Sequence, residues 1–392
     1  MKEHWLLDRT ITFLNHGSFG ATPRVVMEKQ SELRERMERE PVRFLARELE
    51  PLLDEARSRI APFLGADPQG LAFVANATAG VNAVLRSLDL DKHDELLVTD
   101  HEYNACRNAL EHVASAAGAK VVVAALPFPV RNDDEIVEAV LSRVTDRTRL
   151  LLIDHITSPT AIILPVERLV RELQQRGIDT LVDGAHAPGM VPLDLRRIDA
   201  AWYTGNFHKW VSAPKGSAFL YTRPNRRYGV HPAVISHGAN SPRTDRSRYL
   251  LEFDWTGTFD PTAWLCVPDA IRFMDSLVAG GWPEVMRRNH LLALRGRDIV
   301  AAALEVDPPA PDAMLGSMAA LPLPDGPPDL LQQELFERFS IEVPINAWPQ
   351  PPKQLLRVSA QLYNEERDYE TLAAALRQSA ASRSSARVGF DR

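Results

Sequence analysis

The stretch YTGNFHKWVSAPKG, residues 203–216, decides the fold because it ends an apolar strand beside a lysine. Lys209 stands between His208 and Trp210, directly after residues that read as a buried strand. Lysine is seldom buried unless a partner compensates its charge or its amine is used chemically. Taken alone, Lys209 is more often a surface residue at a strand end, so the residues upstream must decide between these interpretations.

Upstream of this stretch, short apolar segments alternate with helical ones from about residue 65 to residue 222. The strand candidates are GLAFVAN, ELLVTD, KVVVAAL, RLLLIDHI, DTLVDGA, AAWYTG and SAFLYT. This alternation predicts a parallel sheet with helices on both faces. Polar residues follow most of these strands, and ligands of open α/β sheets bind in the crevice beyond the carboxyl ends of the strands.

The chain divides into four parts by its patterning. They are an N-terminal arm at 1–23, a large domain at 24–264, a smaller C-terminal α/β domain at 265–380 and a disordered tail at 381–392. Long helices are expected from Arg24 to Leu64, interrupted near Pro41 and Pro51, and from Trp264 to Ala279. Proline-rich punctuation marks the smaller domain, and the tail is small and polar.

The overall composition limits the class of protein. With 392 residues and 45% hydrophobic content, the chain is long enough for two domains. A net charge of −7 without a long single-sign block argues against a nucleic-acid or anionic membrane surface, and no stretch reaches transmembrane length. Cys106 and Cys266 have neither disulfide-framework nor zinc-site spacing. We therefore expect a soluble, cytoplasmic protein without a structural metal that binds a small molecule.

Asp183 gives Lys209 a chemical partner. It ends the strand of TLVDGAHAPG, where a carboxylate is costly without a cation or donor, although an Asp-Gly turn is the simpler interpretation. Lys209 follows one β-unit later, so the two strand ends of one sheet bring both side chains to one crevice. Pyridoxal 5'-phosphate (PLP) needs such a pair: the lysine forms an imine with its aldehyde, and the aspartate keeps its pyridine nitrogen protonated.

The stretch FVANATAGVNAVLRSL offers a place for the phosphate. It reads as strand, turn and helix, which presents the amides of Ala77, Thr78 and Ala79 at a helix N-terminus, with the Thr78 hydroxyl as a further donor. An ordinary N-cap explains the same residues equally well until the lysine is considered. Asn206 and His208, beside the lysine, are additional candidate donors.

The chain resembles the class V aminotransferase family of fold-type I PLP enzymes, and within it the isopenicillin N epimerase-like group. The segments that carry the resemblance are LNHGSFGATP, EPVRFL, ANATAG, TDHEYNA, SPTAIILP, VDGAHAPG, TGNFHKWVSAPKG, EFDWTGTFDPTAW and LLRVSAQLYN. The resemblance covers roughly residues 12–378. It implies a large domain with a mostly parallel seven-stranded sheet, a smaller C-terminal α/β domain, and an amino acid substrate.

The resemblance also implies roles for individual residues. Lys209 forms the imine, Asp183 meets the pyridine nitrogen, His186 lies near the phenolic oxygen, and Tyr103 stacks on the cofactor ring. Thr78, Asn206 and His208 are implied to bind the phosphate. Ser158 occupies a cofactor-loop position where many relatives have asparagine, and Ala161 replaces a common glycine there, so the contact to the cofactor oxygen is open.

The same resemblance places Arg357, in LLRVSAQLYN, where an arginine clamps the substrate carboxylate. A bidentate guanidinium suits a planar carboxylate, although an exposed strand arginine has the same spacing. Gly257 and Thr258 are implied to reach the phosphate from a second subunit, which makes the protein a homodimer with its active site at the subunit interface.

The reaction itself stays open at this point. Epimerisation is favoured, with Lys209 as the base and an acid on the opposite face, for which Tyr103 and the arm residue His16 are candidates. Asn15 and His16 are also expected to bind the substrate. β-Elimination from an S-substituted cysteine is a close alternative, and transamination is third. Persulfide-type desulfuration is disfavoured because the loop before Arg357 contains no cysteine, and a non-catalytic binding module is disfavoured by the lysine itself.

Overall fold

A computed structural model describes residues 1–388 of the chain, with side chains through residue 381. Its strands are β1 (Thr12–Phe13), β2 (Leu71–Val74), β3 (Glu95–Thr99), β4 (Lys120–Ala124), β5 (Thr148–Asp154), β6 (Asp179–Asp183), β7 (Trp202–Asn206), β8 (Ala218–Thr222), β9 (Met318–Leu323), β10 (Ile341–Glu342), β11 (Ile345–Ala347) and β12 (Gln354–Ser359).

The helices begin in the arm and end at the last described residue. They are α1 (His16–Phe19), α2 (Arg24–Arg39), α3 (Pro41–Arg43), α4 (Leu49–Leu64), α5 (Ala77–Arg86), α6 (Asn104–Ala117), α7 (Asp133–Leu141), α8 (Val166–Gln174), α9 (Leu195–Ile198), α10 (Arg248–Phe253), α11 (Thr262–Leu265), α12 (Val267–Ser276), α13 (Gly281–Leu304), α14 (Pro328–Phe339) and α15 (Glu366–Val388). None of these helices has the length and hydropathy that a bilayer crossing requires.

The central sheet has seven strands, the number expected, and their order is β2-β8-β7-β6-β5-β3-β4. Strands β3 to β7 run parallel, whereas β8 is antiparallel to both of its neighbours. The strands are buried on both faces, which explains their continuous apolar runs. The loop that carries Lys209 is therefore the turn between β7 and β8, at the carboxyl edge of the parallel strands.

A smaller antiparallel sheet has the order β11-β12-β9 and packs against α13. The arm is joined to this part of the chain because β1 pairs in parallel with β10, Thr12 opposite Ile341 and Phe13 opposite Glu342. The mixture of elements confirms the expected α/β class. The domain boundaries at residues 23, 264 and 380 stay predictions.

The helical tract from Arg24 to Leu64 is interrupted near Pro41 and Pro51 as expected, since a π-helical turn over Phe44–Glu48 precedes α4 and Pro51 stands in the first turn of α4. Two other expectations need correction. The helix expected from Trp264 to Ala279 is two helices that meet at Cys266, with Pro268 in the first turn of the second. The tail expected to be disordered is helical through Val388, since it contains alanine and arginine but no helix breaker up to that point. Residues 389–392 lie outside the described part.

Candidate active site

The three adjacent strands β5, β6 and β7 end in polar residues at one edge of the sheet. Asp154, Asp183 and Asn206 are their last residues, and Asp154 is the register partner of Asp183. A cavity of about 490 Å³ opens beyond these ends. Of the predicted site residues, it is lined by Ala77, Thr78, Tyr103, Ser158, Asp183, His186, Asn206, His208 and Lys209.

Lys209 lies in this cavity with its amine against a histidine. Its Nζ atom is 3.0 Å from Nε2 of His186, and the indole N–H of Trp210 donates to Nδ1 of the same ring at 3.3 Å. Because an indole nitrogen is only a donor, Nδ1 of His186 must accept, and the neutral ring then carries its proton on Nε2. The Lys209 amine must therefore accept this proton's hydrogen bond, which requires it to be uncharged.

The electrostatics of the cavity favour the same protonation state. Burial, and next the positive charge of Arg357, lower the pKa of Lys209 to about 7. Burial also keeps the pKa of His186 well below its ordinary value. An uncharged amine is a nucleophile and a base at neutral pH. Lys209 is therefore a buried lysine in a form suited to chemistry, and not a surface residue at a strand end.

Asp183 lies in a buried group of acids. Its Oδ1 atom accepts from the amide of Ala185 at 2.9 Å, and its Oδ2 atom lies 3.0 Å from the thiol of Cys106. Burial raises the pKa of Asp183, while the Cys106 and Ala185 hydrogen bonds act in the opposite direction. Burial together with neighbouring carboxylates raises the pKa values of Glu102 and Asp154 well above their usual range.

The loop at the start of α5 is organised differently from the expectation. The amide of Ala77 donates to Oδ1 of Asn206 at 2.8 Å, and the amide of Ala79 donates to Oδ1 of Asn76 at 2.8 Å. Asn206 and the N-cap Asn76 therefore hold the loop, and they occupy two of the three amides that the sequence predicts as phosphate donors. Thr78 lines the cavity, and its amide and hydroxyl donate to no described side chain.

His208 borders the same end of the cavity. Its Nδ1 atom donates to the carbonyl of Ser217 at 3.2 Å, and burial lowers its pKa to about 4. The opposite ring nitrogen, Nε2, is then left without a proton in the neutral ring. A bound phosphate dianion would favour the imidazolium form, so we expect His208 to take up a proton when it contacts such a group.

Arg357, on β12, is only 3% exposed and forms no ion pair with any residue described here. Its Nη1 atom donates to the carbonyl of Ser158 at 2.7 Å, and its Nη2 atom donates to Oγ of Ser18 at 3.1 Å. The buried Nε atom has no partner. Burial lowers the pKa of this guanidinium to about 10, so a carboxylate that entered here would meet an uncompensated cation.

The arm residues do not lie where a reacting group would. His16 is fully buried; its Nε2 atom donates to the carbonyl of Lys209 at 2.9 Å, and its Nδ1 atom accepts from the hydroxyl of Tyr363 at 2.8 Å. Asn15 donates to Glu342 at 2.8 Å. Neither residue lines the cavity, and both ring nitrogens of His16 and both polar atoms of Asn15 are used within the chain. Substrate binding by these two residues stays a prediction.

Gly257 and Thr258 also lie away from the cavity of their own chain. Gly257 has a φ of 119°, and nothing lies within 4 Å of the position that a Cβ atom would take there. This single chain does not test their contact with a second subunit, which stays a prediction.

Some residues of the site were missed by the sequence reasoning. Asp154 follows from the same rule that singled out Asp183, a carboxylate ending an apolar strand, and was overlooked. Cys106 was considered for disulfide and zinc spacing, and its contact with Asp183 was not predicted. Ser18 and Trp210 carry no sequence signal of their own, because their roles depend on contacts with distant residues.

The residues fit PLP in their chemistry and their space. An uncharged lysine and a buried carboxylate share one cavity of a size typical for cofactor sites, which is about 300–1,000 Å³. Among the described residues, buried oxygen atoms of Glu102 and Asp154 have no hydrogen-bond partner, and Asp154 lines the cavity together with Asp183. This part of the cavity is therefore suited to a cationic ring nitrogen. Thr78, at the start of α5, lines the same cavity.

Comparison with known proteins agrees with this chemistry. The family model for Aminotransferase class-V matches residues 13–343. Isopenicillin N epimerase of Amycolatopsis lactamdurans is 39% identical, covering 96% of this chain and 97% of that protein, and isopenicillin N epimerase of Streptomyces clavuligerus is 37% identical over 95% of each. A probable chloroplastic L-cysteine desulfhydrase of Arabidopsis thaliana is 31% identical over 93% of this chain and 82% of its own length.

Solved structures support the fold. A C-DES mutant with glycine covalently linked to its PLP cofactor superposes with a TM-score of 0.81 at 21% identity, covering 96% of this chain and 99% of that one. The cofactor of the present chain is PLP, and the chain is an enzyme. With the family model, its near full-length relatives and the lysine–aspartate cavity in agreement, this chain belongs to the class V aminotransferase family of fold-type I PLP enzymes.

Proposed function

We propose that this enzyme is an epimerase of the isopenicillin N epimerase type, which removes the α-proton of an amino acid and returns a proton to the opposite face. The two relatives at 39% and 37% identity bear that name and align over nearly their whole length. PLP, when bound, supplies an electron sink for the pair left on the α-carbon. The remaining roles belong to residues of the chain.

The residues around the cofactor divide the work. Asp183 would hold the pyridine nitrogen, and the thiol of Cys106 favours the ionised form of this carboxylate. His186, next to the amine, would hold the phenolic oxygen. Thr78 would donate to the phosphate, while Asn206 fixes the loop through Ala77. The family resemblance implies the roles of Asp183 and His186, and the position of Thr78 in the cavity supports its role.

One observation carries the choice of acid and base. Tyr103 lines the same cavity as Lys209 and is 45% exposed, and no hydrogen bond engages its hydroxyl among the described residues. If Arg357 holds the substrate carboxylate, the α-carbon is one bond away from that carboxylate, and Tyr103 is the remaining candidate for the acid. We therefore assign Lys209 as the group that takes the proton and Tyr103 as the acid, since His16 has no free ring nitrogen.

The cysteines support the exclusion of persulfide chemistry. Cys106 and Cys266 are both buried and free. Burial raises the pKa of the Cys106 thiol well above its usual range and that of Cys266 to about 12. A thiol that stays protonated is a poor nucleophile, so neither residue is suited to attack a substrate sulfur.

A C–S β-lyase is the second candidate. The desulfhydrase relative at 31% identity aligns with 93% of this chain. The same cavity residues serve elimination as well as epimerisation, because both reactions begin with loss of the α-proton. Transamination is third, since it needs the proton delivered to the cofactor instead of the substrate. Tyr103 is the side chain that would distinguish epimerisation from the other two reactions, because only epimerisation needs an acid on the face opposite Lys209.

We further propose a homodimer in which Gly257 and Thr258 reach the phosphate of the partner's site. Large apolar side chains exposed on the single chain, among them Tyr228 at 93% and Ile235 at 62%, supply surface for such a contact. Two free thiols agree with a reducing, cytoplasmic location. Light scattering tests the dimer, and a monomer that retains PLP would contradict the roles of Gly257 and Thr258.

The reaction is tested by incubating the holoenzyme with L-amino acids and S-substituted cysteines in deuterated water. Deuterium at the α-carbon together with the D-isomer indicates epimerisation, pyruvate with ammonia indicates β-elimination, and a keto acid indicates transamination. Epimerisation with Tyr103 as the acid predicts that Tyr103→Phe lowers formation of the D-isomer about 10²-fold or more. Deuterium exchange with retention should survive, because Lys209 alone performs it. Equal loss of exchange and inversion would remove Tyr103 from the acid role.

A further inference from the structure

A line of hydrogen bonds connects Arg357 with a carboxylate outside the cavity. Nη2 of Arg357 donates to Oγ of Ser18 at 3.1 Å, the Ser18 hydroxyl donates to Oδ1 of Asn15, and Nδ2 of Asn15 donates to Oε1 of Glu342 at 2.8 Å. The direction of each bond is fixed, since a guanidinium only donates and an ionised carboxylate only accepts. We call Ser18, Asn15 and Glu342 the arm relay.

Arg357 needs neutral hydrogen-bond partners to orient it, because no carboxylate among the described residues does so. It is buried, and no carboxylate of the described chain pairs with it. A carboxylate placed directly on the guanidinium would orient it but would also occupy the fork that a ligand needs. Ser158 on Nη1 and Ser18 on Nη2 orient the group with neutral partners, and the Nε edge is left unpaired. The arm relay therefore fixes the cation without filling its binding edge.

The fold supplies the relay through strand register. Pairing of β1 with β10 sets Phe13 opposite Glu342, and the amide of Leu14 donates to the Glu342 carbonyl at 2.9 Å, which brings the following Asn15 within reach of the Glu342 side chain. Gly17 lets the turn approach the small sheet, because a Cβ atom there would lie 2.5 Å from Sδ of Met318. Ser18 is thereby delivered to the cavity wall.

We propose that Ser18 and Asn15 are positioning residues that hold Arg357 in the orientation that receives the carboxylate of an amino acid, with Glu342 as their anchor. This inference rests on the proposed role of Arg357 as the carboxylate clamp. It replaces direct substrate binding by Asn15 with an indirect function. It also means that the arm contributes to substrate affinity without contacting the reacting atoms.

The test compares two probes that differ only in the carboxylate, glycine and glycinamide, titrated into the holoenzyme and followed by the visible spectrum of the cofactor. Ser18→Ala should weaken glycine about fivefold and leave glycinamide within twofold, because loss of one hydrogen bond to the guanidinium matters only when a carboxylate is bound. Asn15→Ala should act in the same direction, and Ser18→Thr, which keeps the hydroxyl, should restore most of the affinity.

Ser31→Ala is the matched control, since the Ser31 hydroxyl bonds only to the carbonyl of Met27 on an exposed helix face. Arg357→Ala distinguishes failure of the carboxylate clamp from failure of the arm relay. If it leaves glycine binding unchanged, the clamp itself is wrong. If it weakens glycine while Ser18→Ala and Asn15→Ala behave like the control, the clamp stands and the arm relay is refuted. Thermal unfolding of each variant identifies a general loss of structure, which would weaken both probes alike.

Discussion

The thiol of Cys106 lies 3.0 Å from Oδ2 of Asp183 and donates a hydrogen bond to it from the buried side of the sheet. This contact gives the carboxylate a donor that does not compete with its other oxygen, which accepts from the amide of Ala185. Asp183 therefore has fixed partners on both oxygens before the cofactor arrives. A carboxylate that is held in this way is oriented for the pyridine nitrogen at little further cost in entropy.

Removal of this thiol should weaken cofactor binding. Cys106→Ala is expected to raise the dissociation constant for PLP about three- to tenfold, because the hydrogen bond from the thiol favours the ionised form of Asp183. Fluorescence titration of the cofactor-free protein measures this constant. Cys106→Ser, which retains a donor, should lie close to the native value. Cys266→Ala is the control, and an equal effect there would show that buried volume, not the hydrogen bond, is responsible.

Glu102 should make the cofactor-free protein sensitive to pH. Both of its carboxylate oxygens are buried without partners, and burial and nearby carboxylates raise its pKa well above the ordinary value. The folded state then holds a proton that the unfolded state has lost, so stability contributed by this group falls as pH rises above about 4.5. Glu102→Gln should therefore gain stability relative to native protein between pH 5 and pH 8.

Thermal unfolding at several pH values measures this difference. The comparison is between the two proteins at each pH, because buried histidines with lowered pKa values, such as His101 and His155, act in the opposite direction in both. A constant difference in melting temperature across the range would contradict the assignment. Addition of PLP should reduce the pH dependence, since a pyridinium partner favours ionised carboxylates.

The sequence predicted the large sheet well because its signal is local. Each of the seven strands is a continuous apolar run, and the polar residues that end them, Asp183 and Asn206 among them, lie at one edge as expected. The contacts of His16 could not be predicted, because its burial and its hydrogen bonds with Lys209 and Tyr363 depend on how the arm packs. No spacing rule reveals that a histidine next to a turn has both of its ring nitrogens occupied.

The buried contacts of His16 lead to a prediction about stability. His16→Ala removes two buried hydrogen bonds and leaves the Lys209 carbonyl and the Tyr363 hydroxyl unpaired, which should cost about 2–3 kcal/mol of unfolding free energy. Urea unfolding measures the loss. Cofactor-loaded enzyme should retain the pH profile of the native protein, and the exposed His112→Ala serves as the control. If His16→Ala lost only formation of the D-isomer and kept its unfolding free energy, His16 would be the catalytic acid.

Trp210 should determine the protonation of Lys209. Its indole N–H occupies Nδ1 of His186, so the neutral ring can only donate from Nε2 to the amine, and an ammonium group would face another donor. Trp210→Phe frees Nδ1 to carry the proton. Nε2 of His186 then accepts from a charged lysine, and the pKa of Lys209 should rise from its value of about 7 by about 0.5–1 unit.

The measurement is the rate at which the cofactor-free protein attaches PLP as a function of pH, trapped with borohydride and followed by mass spectrometry. Because only the uncharged amine attacks the aldehyde, the native rate should rise through pH 7 and level off, whereas an ordinary lysine would keep gaining up to pH 10.5. Trp210→Phe should shift this midpoint upward. His186→Gln in the same background separates tautomer control from the cavity left by the smaller ring, since the amide has no tautomer for residue 210 to select. A shift of equal size with His186 replaced would show that the indole acts only by packing.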